Sequence, residues 1–328
     1  MNLDTNLKKL KFGRHTTGDG GFMDVWSTEQ ERRNNPSVCP VFFVPGFAVK
    51  PYSRTEVQNL TGKLRNGMPY DEFRAELGQT NYLGNFPSDL AAEIDMPVCV
   101  LWQRAETRGL FPHYRTDDDS KMADLIHQTA KTVLGTVNTR LFLLSHSKGA
   151  LAHAIALNKE RDLTGILPGA MVSPMIDGES GLDYFGRFKG VIHGIYSAVG
   201  CLPVPAFNIQ AFTGVNDLPN GPKRNSAQRS KAMLDARSAR TILDAKLDEK
   251  LHWIKPDYEP EVLVTMGDRS ICPEKQKLVA RMLGKAPIEI RGAPHGLFTY
   301  EQYSRNLIRE VVGIMKEQLE ISRAQNKC

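Results

Sequence analysis

The segment Phe142–Gly149, with sequence FLLSHSKG, places a serine between a run of apolar residues and a stretch with helical character. The pattern small-x-Ser-x-Gly at a strand-to-helix junction is typical of a nucleophile elbow, a strained turn that exposes the serine hydroxyl above a sheet. Ser147 is the centre of this pattern, and Ser145 and Gly149 are its small flanking residues. Serine is also a favoured helix cap, but a cap does not require the apolar strand before it. The spacing therefore predicts that Ser147 is a nucleophile.

The same residues also allow a lysine-activated serine. Ser145-x-x-Lys148 matches the Ser-x-x-Lys pattern of penicillin-binding proteins and class A β-lactamases. The Lys-Thr-Gly and Ser-Asp-Asn elements that accompany that pattern do not occur in this chain. The alternation of strands and helices is also wrong for that fold, so this interpretation is the weaker one.

A serine hydroxyl needs a general base, and the base needs a third group to orient it. In the elbow arrangement the order along the chain is serine, acid, histidine. Two histidines lie well downstream of Ser147. His295 sits in the Gly- and Pro-rich segment RGAPHGLF, whereas His252, beside Trp253, has the surroundings of a surface residue. His295 is therefore the predicted base.

The acid should follow a strand upstream of that histidine. Asp268 comes directly after Gly267 in the segment VLVTMGDRSICP and is the first choice. Asp177 is the alternative, because some elbow hydrolases take the acid from the preceding strand. Glu274 is a third option, although it is better placed to begin a helix.

A negative charge that develops on a substrate carbonyl needs backbone N–H donors. One donor is expected from Lys148, the residue after the nucleophile, and the other from the loop after the first buried strand. In that loop Pro45-Gly46 precedes Phe47, whose N–H is the predicted second donor. Pro-Gly is also a common turn dipeptide, so a simple turn is the alternative.

Composition limits the partners. The chain has 42 Lys+Arg and 37 Asp+Glu, a net charge of +5, and no basic block interleaved with aromatics. Nucleic acid is therefore not an expected partner, and weak attraction to an anionic membrane surface is the better prediction. Five scattered cysteines without metal-ligand spacing indicate reduced thiols in a cytoplasmic protein. The N-terminus shows no secretory signal, and Gly190–Phe207 is too interrupted to span a bilayer.

One grouping resembles a metal site, namely His113 followed by Asp117–Asp119. The three aspartates also fall in the first turn of a predicted helix, where negative charge complements the helix dipole. A solvated helix start is the better interpretation, and neither a metal nor a cofactor is expected.

Short β-branched and aromatic runs alternate with longer helical patterns, which is typical of βαβ units. The sequence predicts an α/β protein with a mostly parallel central sheet and helices on both faces. Predicted strands are Phe22–Ser27, Val38–Val44, Pro97–Trp102, Arg140–Ser145, Gly165–Ser173, a strand beginning at Glu261, and Ile288–Gly292. Regularity fails between about residues 175 and 255. The chain thus divides into core residues 1–174, a cap over 175–255, and core residues 256–328.

The predicted cap contains an apolar stretch, Phe185–Phe212, with many aliphatic and aromatic residues and only three basic ones, Arg187, Lys189 and His193. A pocket for an acyl chain and ordinary packing of the cap against the core explain this stretch equally well.

With these motifs in place, nearly the whole chain, from about Phe22 to Leu319, resembles an α/β-hydrolase. The similar branch is the serine aminopeptidase-like one, which includes bacterial lysophospholipases and monoacylglycerol lipases. The segments that carry the resemblance are Phe43–Phe47, Leu101–Arg104, Ser145–Ala150, Ser173–Met175, Asn216–Arg224 and Gly292–His295. The acid loop differs, because Asp268 follows Gly267 at once and Ser270 stands at the customary acid position.

The resemblance implies an α/β-hydrolase fold with an inserted cap, and a serine hydrolase that cleaves a carboxylic ester through an acyl-enzyme. A lysophospholipid or monoacylglycerol is the implied substrate, with peripheral contact on the inner face of a membrane. An acyltransferase or peptidase would use the same triad, and a binding protein could keep the fold without catalysis. Fluorophosphonate labelling separates the last of these from the others.

Overall fold

The computed structural model of the 328-residue chain describes twelve stretches and four further positions. These are residues 10–16, 22–28, 37–46, 52–102, 105–107, 112–114, 118–136, 140–159, 165–177, 246–252, 254–256 and 258–325, with 190, 191, 194 and 198. Phe47 and most of the cap predicted over 175–255 lie outside the described residues.

An eight-stranded sheet forms the centre of the described structure, in the spatial order β1-β2-β4-β3-β7-β8-β9-β10. Its strands are β1 (Lys11–Thr16), β2 (Phe22–Ser27), β3 (Val41–Val44), β4 (Val98–Leu101), β7 (Leu141–His146), β8 (Ile166–Val172), β9 (Glu261–Thr265) and β10 (Ile288–Ile290). A separate antiparallel hairpin joins β5 (Ala105–Thr107) and β6 (Pro112–Tyr114). Within the large sheet, β2 pairs antiparallel with both β1 and β4, and the other neighbouring strands pair parallel. The predicted mostly parallel sheet is confirmed.

Helices cover both faces of this sheet, as predicted. They are α1 (Arg54–Arg65), α2 (Tyr70–Leu77), α3 (Phe86–Ile94), α4 (Asp118–Thr136), α5 (Gly149–Lys159), α6 (Leu247–Leu251), α7 (Pro273–Met282) and α8 (Glu301–Gln325). Buried residues of α1, α2, α3 and α8 form one core cluster, and those of α4, α5, α6 and α7 form the other. Neither β1 nor the three helices between β3 and β4 were predicted from the sequence.

The central strands are largely apolar because each face packs against helices. In β3, Val41 and Phe43 belong to the core on the α8 side, whereas Phe42 and Val44 belong to the core on the α5 side. All four residues are buried. A continuous apolar run, instead of an alternating one, was the sequence signal for this burial. No helix in the described part of the chain is long and apolar enough to cross a membrane.

Strand β8 contains a bulge, where its register against β7 shifts between Phe142 and Leu144. Gly169 lies in the bulge with φ +74, and a β-carbon there would be 1.7 Å from the carbonyl oxygen of Leu143. The interrupted ladder leaves backbone polar groups that need other partners. Gln318 of α8 supplies them for Gly169, since its Oε1 accepts from the Gly169 N–H at 2.9 Å and its Nε2 donates to the carbonyl at 3.0 Å.

We expect Gly169→Ala to lower the free energy of unfolding by about 3 kcal/mol or more, because the new methyl group meets backbone and the conformation is left-handed. Urea unfolding followed by circular dichroism measures this. Gly313→Ala is the matched control, since a β-carbon at that position of α8 meets nothing within 4 Å. The control should raise stability by up to about 1 kcal/mol. Equal effects of the two substitutions would contradict the role assigned to the bulge.

Candidate active site

Ser147 lies between the end of β7 and the start of α5, as the elbow pattern predicts. Its backbone is left-handed, with φ +55, and its N–H donates to the carbonyl of Val172 at 3.0 Å. A β-carbon on Gly149 would lie 2.5 Å from the carbonyl oxygen of Val44. Only glycine therefore allows α5 to approach β3 so closely. The strand–turn–helix context of the motif is present in the structure.

The side chains of Ser147, His295 and Asp268 form a continuous hydrogen-bonded series. His295 Nδ1 is 2.8 Å from Asp268 Oδ2, and His295 Nε2 is 3.1 Å from Ser147 Oγ. The Asp268 carboxylate accepts, so Nδ1–H is the donor of the first bond. The Ser147 hydroxyl then donates to the unprotonated Nε2. The three residues are largely buried, with 6 to 7% of their surface exposed. The structure thus brings the three residues predicted from the sequence together in the order of a catalytic triad.

The Asp268 carboxylate is held by a loop that precedes α7. Its Oδ1 accepts the backbone N–H groups of Ser270 at 2.7 Å and Ile271 at 2.9 Å. Its Oδ2 accepts from Gln276 Nε2 at 2.9 Å and from the Thr265 hydroxyl at 3.2 Å. Ser270, at the position where the resembled family places its acid, therefore supplies a backbone donor. These four donors fix the position of the carboxylate beside the His295 ring.

The contacts described for the two alternative acids are with residues other than His295. Asp177 forms an isolated backbone bridge with Lys246. The Glu274 carboxylate lies in the first turn of α7, 69% exposed, and pairs with Lys277 at 3.2 Å. His252, the alternative base, follows α6 and is exposed. The geometry favours Asp268 and His295 over all three.

The loop that carries His295 is fixed by groups that sequence reasoning missed. His146 Nε2 donates to the carbonyl oxygen of His295 at 3.0 Å, and the two rings are 4.6 Å apart. The edge of His146 also meets Phe298, which packs against Phe43 in the core. The only sequence signal for His146 was its place beside Ser147. Its role in holding the histidine loop comes from the tertiary fold.

Tyr82 is a second unpredicted neighbour of the site. Its hydroxyl is 3.5 Å from the His295 carbonyl oxygen, at the limit of a hydrogen bond. Burial, and then the nearby charge of Asp268, raise the pKa of Tyr82 well above its usual value. The neutral form of the phenol is therefore favoured. It acts as a donor toward the histidine loop and not as an acid.

The backbone around the predicted oxyanion hole is crowded at Gly46, where a β-carbon would lie 2.9 Å from the β-carbon of Ser147. The loop that follows β3 therefore passes directly against the nucleophile. Tyr52, at the far end of this loop, donates its hydroxyl to the Gly84 carbonyl at 2.8 Å, and its backbone carbonyl accepts from Arg14 Nη2 at 2.7 Å. In the sequence Phe47 falls between Gly46 and Tyr52, outside the described residues. Its donor role stays a prediction.

Ser145 and Lys148 do not form a dyad, because each side chain has another partner. Ser145 is fully buried and its hydroxyl bonds to His153 Nδ1 at 2.9 Å, while His153 Nε2 donates to the Pro168 carbonyl at 2.7 Å. The ammonium of Lys148 forms an ion pair with Asp119 in α4. Neither group is available for the lysine-activated chemistry considered from the sequence.

The metal interpretation of His113 with Asp117–Asp119 gains no support from the part that can be described. The Asp119 carboxylate is paired with Lys148, and Asp117 lies outside the described residues. Within the described ranges, no group of three or more His, Cys, Asp and Glu side chains has the arrangement of a metal site.

Comparisons with known proteins identify the fold. No protein-family model and no curated protein sequence matches the chain. A soluble variant of monoglyceride lipase from Saccharomyces cerevisiae aligns with a TM-score of 0.56 and 12% identity, over 94% of this chain and 96% of that one. Monoacylglycerol lipase from Paleococcus ferrophilus aligns with a TM-score of 0.54 and 15% identity, over 94% and 99%. Est1E from Butyrivibrio proteoclasticus, with ferulic acid bound, gives 0.51 and 15%, over 94% and 99%.

These likenesses and the strand order show that the chain has the α/β-hydrolase fold, which confirms that part of the resemblance. The solved structures similar to it include monoacylglycerol lipases and esterases. At such low sequence identity the likeness is one of architecture, so activity has to be argued from the site.

The buried Ser145–His153 pair generates a pH prediction. Burial lowers the pKa of His153 from 6.5 to about 4, and the bond to the Pro168 carbonyl opposes this only in part. Between these values the unfolded chain binds more protons at this histidine than the folded chain does. Stability is therefore lost as the pH falls below about 6.5, and the loss from this group reaches about 3 kcal/mol near pH 4.

In His153→Gln, the free energy of unfolding should change by about 3 kcal/mol less between pH 7 and pH 4 than in the unmodified protein. Denaturant titrations at several pH values measure the difference. His252→Gln, at an exposed site, controls for the loss of one histidine. Identical pH slopes for His153→Gln and the unmodified protein would show that His153 is not the group responsible.

Proposed function

We propose that this protein is a serine hydrolase that cleaves carboxylic esters through an acyl-enzyme. The observation that carries the proposal is the distance of 3.1 Å between Ser147 Oγ and His295 Nε2, with Asp268 bonded to the other ring nitrogen. The left-handed backbone of Ser147 adds the strained geometry that nucleophile elbows use. A protein that kept the fold only for binding would have no need to assemble all three groups.

The chemistry follows from these contacts. His295 Nε2 takes the Ser147 proton as Oγ attacks the ester carbonyl, and the Asp268 carboxylate stabilises the imidazolium that forms. The backbone N–H groups of Lys148 and Phe47 are proposed to bind the oxyanion of the tetrahedral intermediate. His295 then protonates the leaving alcohol, and an acyl group remains on Ser147. Water activated by His295 releases the acid and restores the free serine.

The proposed substrate is a lipid ester, such as a lysophospholipid or a monoacylglycerol. Strands β8 and β9 are parallel neighbours, and the chain segment between them in the sequence includes the proposed cap over residues 175–255. The apolar stretch Phe185–Phe212 within this cap would line an acyl-chain site. Two of the similar solved structures are monoacylglycerol lipases by name. We also propose that the protein is cytoplasmic and contacts the inner face of a membrane peripherally.

The nucleophile assignment is tested by substituting two serines that lie two positions apart in the motif. Ser147→Ala should lower kcat at least about a thousandfold and abolish labelling by a fluorophosphonate probe, because the attacking atom is gone. Ser145→Ala should keep kcat within about tenfold. It should lower stability by about 1–3 kcal/mol, since His153 loses a buried hydrogen-bond donor.

The measurements are ester hydrolysis, in-gel probe labelling and thermal unfolding on the same preparations. Labelling of Ser147→Ala together with an unreactive Ser145→Ala would move the nucleophile to Ser145 and overturn the proposed mechanism. An unmodified protein that neither labels nor hydrolyses any ester would leave a binding protein with this fold.

The substrate class is tested by a series of esters from acetyl to palmitoyl with one leaving group. Each methylene buried in an apolar site contributes up to about 0.8 kcal/mol, which is about a fourfold gain in kcat/KM until the site is full. Efficiency should therefore rise steeply toward long chains, with Ser147→Ala as the background control. A maximum at acetyl or butyryl would rule out the lipid substrate while leaving the serine hydrolase intact. Transfer of the acyl group to added alcohols or amines would indicate an acyltransferase.

A further inference from the structure

A buried ion pair lies directly beside the reactive serine, and the triad makes no use of it. Lys148 follows Ser147 in the chain and is 1% exposed, and its partner Asp119 in α4 is 5% exposed. Lysine is rarely buried so completely. Removing both charges from water is costly, and apolar replacements of buried pairs are often as stable or more stable. A contribution to global stability is therefore a weak explanation for this pair.

A second Lys–Asp pair already joins the same two elements. Lys159, at the end of α5, pairs with Asp124 of α4 at 2.8 Å, and both side chains are partly exposed. Lys159 Nζ also donates to the hydroxyl of Ser120 at 3.0 Å. The helices α4 and α5 are thus linked at the surface by a pair that loses much less hydration than the buried one. Holding these helices together does not require the buried pair.

The peptide between Ser147 and Lys148 is constrained on its carbonyl side. The Ser147 carbonyl accepts the N–H of Ala150 at 3.1 Å and that of Met175 at 3.4 Å. In a trans peptide the N–H points opposite to the carbonyl, so these bonds aim the Lys148 N–H away from α5. The Lys148 side chain, attached to the Cα that follows this N–H, extends to Asp119. The ion pair is therefore the anchor for the end of the peptide that carries the donor.

We infer that Lys148 is a positioning residue, whose buried ion pair with Asp119 holds its own backbone N–H in the direction needed by the oxyanion hole. The inference rests on the proposed function. Asp119 acts only through Lys148, since its carboxylate is engaged by the ammonium. A donor that is misdirected by loss of the anchor costs transition-state stabilisation while leaving the substrate site and the triad in place.

The test compares Asp119→Asn, Lys148→Met and the double variant, all of which keep the Lys148 backbone N–H. Each should lower kcat by about 10- to 100-fold with KM changed by less than about threefold. The double variant should lose no more than either single variant, because both substitutions remove one anchor. An alkylboronic acid, whose tetrahedral serine adduct places an oxygen in the hole, should bind more weakly to all three by a similar factor.

Asp124→Asn is the matched control, because it breaks the exposed pair between the same helices, and it should leave kcat and boronate affinity unchanged. Thermal unfolding separates positioning from stability. The single variants leave one buried charge without a partner and should melt lower, whereas the double variant should recover most of the melting temperature without recovering kcat. Recovery of kcat together with stability in the double variant, or full kcat in folded single variants, would overturn the inference. Absence of probe labelling in the unmodified protein would instead refute the proposed function.

Discussion

The left-handed backbone of Ser147 is the constraint around which the site is organised, because a residue with a β-carbon adopts it at a cost of about 1–2 kcal/mol. The surrounding structure holds the serine there on every side. Its N–H bonds to Val172, its carbonyl accepts from Ala150, and Gly149 lets α5 press against the Val44 carbonyl. The result is a hydroxyl that projects above the carboxyl end of the sheet and not into the core. His295 contacts that hydroxyl directly, and Asp268 contacts His295.

Asp268 and His295 reach Ser147 because the strands before them, β9 and β10, end at the same edge of the sheet as β7. The loop after β9 and the loop after β10 are tied together by the hydrogen bond from the Gly267 N–H to the Ala293 carbonyl, 2.9 Å long. A β-carbon on Gly267 would lie 2.6 Å from the Gly292 carbonyl oxygen, so the approach depends on glycine. This contact sets the distance between the residues that follow, Asp268 and His295. His146 then ties the histidine loop back to the elbow.

Two buried polar pairs lie beneath the elbow, on the side of the sheet that α4 and α5 cover. One is neutral, Ser145 with His153, and it also satisfies the carbonyl of Pro168 next to the β8 bulge. The other is charged, Lys148 with Asp119. Buried polar groups are tolerated only when they are bonded. The polar groups of these two pairs are thus hydrogen-bonded or ion-paired. Such directional contacts fix the position of the elbow more specifically than apolar packing would.

The sequence by itself determined the elements whose signals are local. An elbow needs a strand, a small residue, a serine, a glycine and a helix in direct succession, so Phe142–Gly149 was sufficient to predict Ser147. His295 was predicted from its Gly- and Pro-rich loop, and the α/β fold from the alternation of strands and helices. The predicted Asp268 needed the tertiary structure to separate it from Asp177, because only the sheet order places one loop beside the histidine. His146, for the same reason, was invisible as a partner of a residue 149 positions away.

The pairing of Lys148 with Asp119 likewise could not be predicted from the sequence, although both residues had been singled out for other reasons. The sequence identified Lys148 for its backbone N–H, a property that any residue at that position shares, and Asp119 for its place in the first turn of a helix. Nothing local relates two charges that are 29 residues apart. The two residues come into contact because α4 and α5 pack side by side on one face of the sheet. In that interface of low polarity an unpaired charge would be costly, so the two charges pair. Neighbouring residues determine local backbone geometry, whereas tertiary packing determines which buried polar groups become partners.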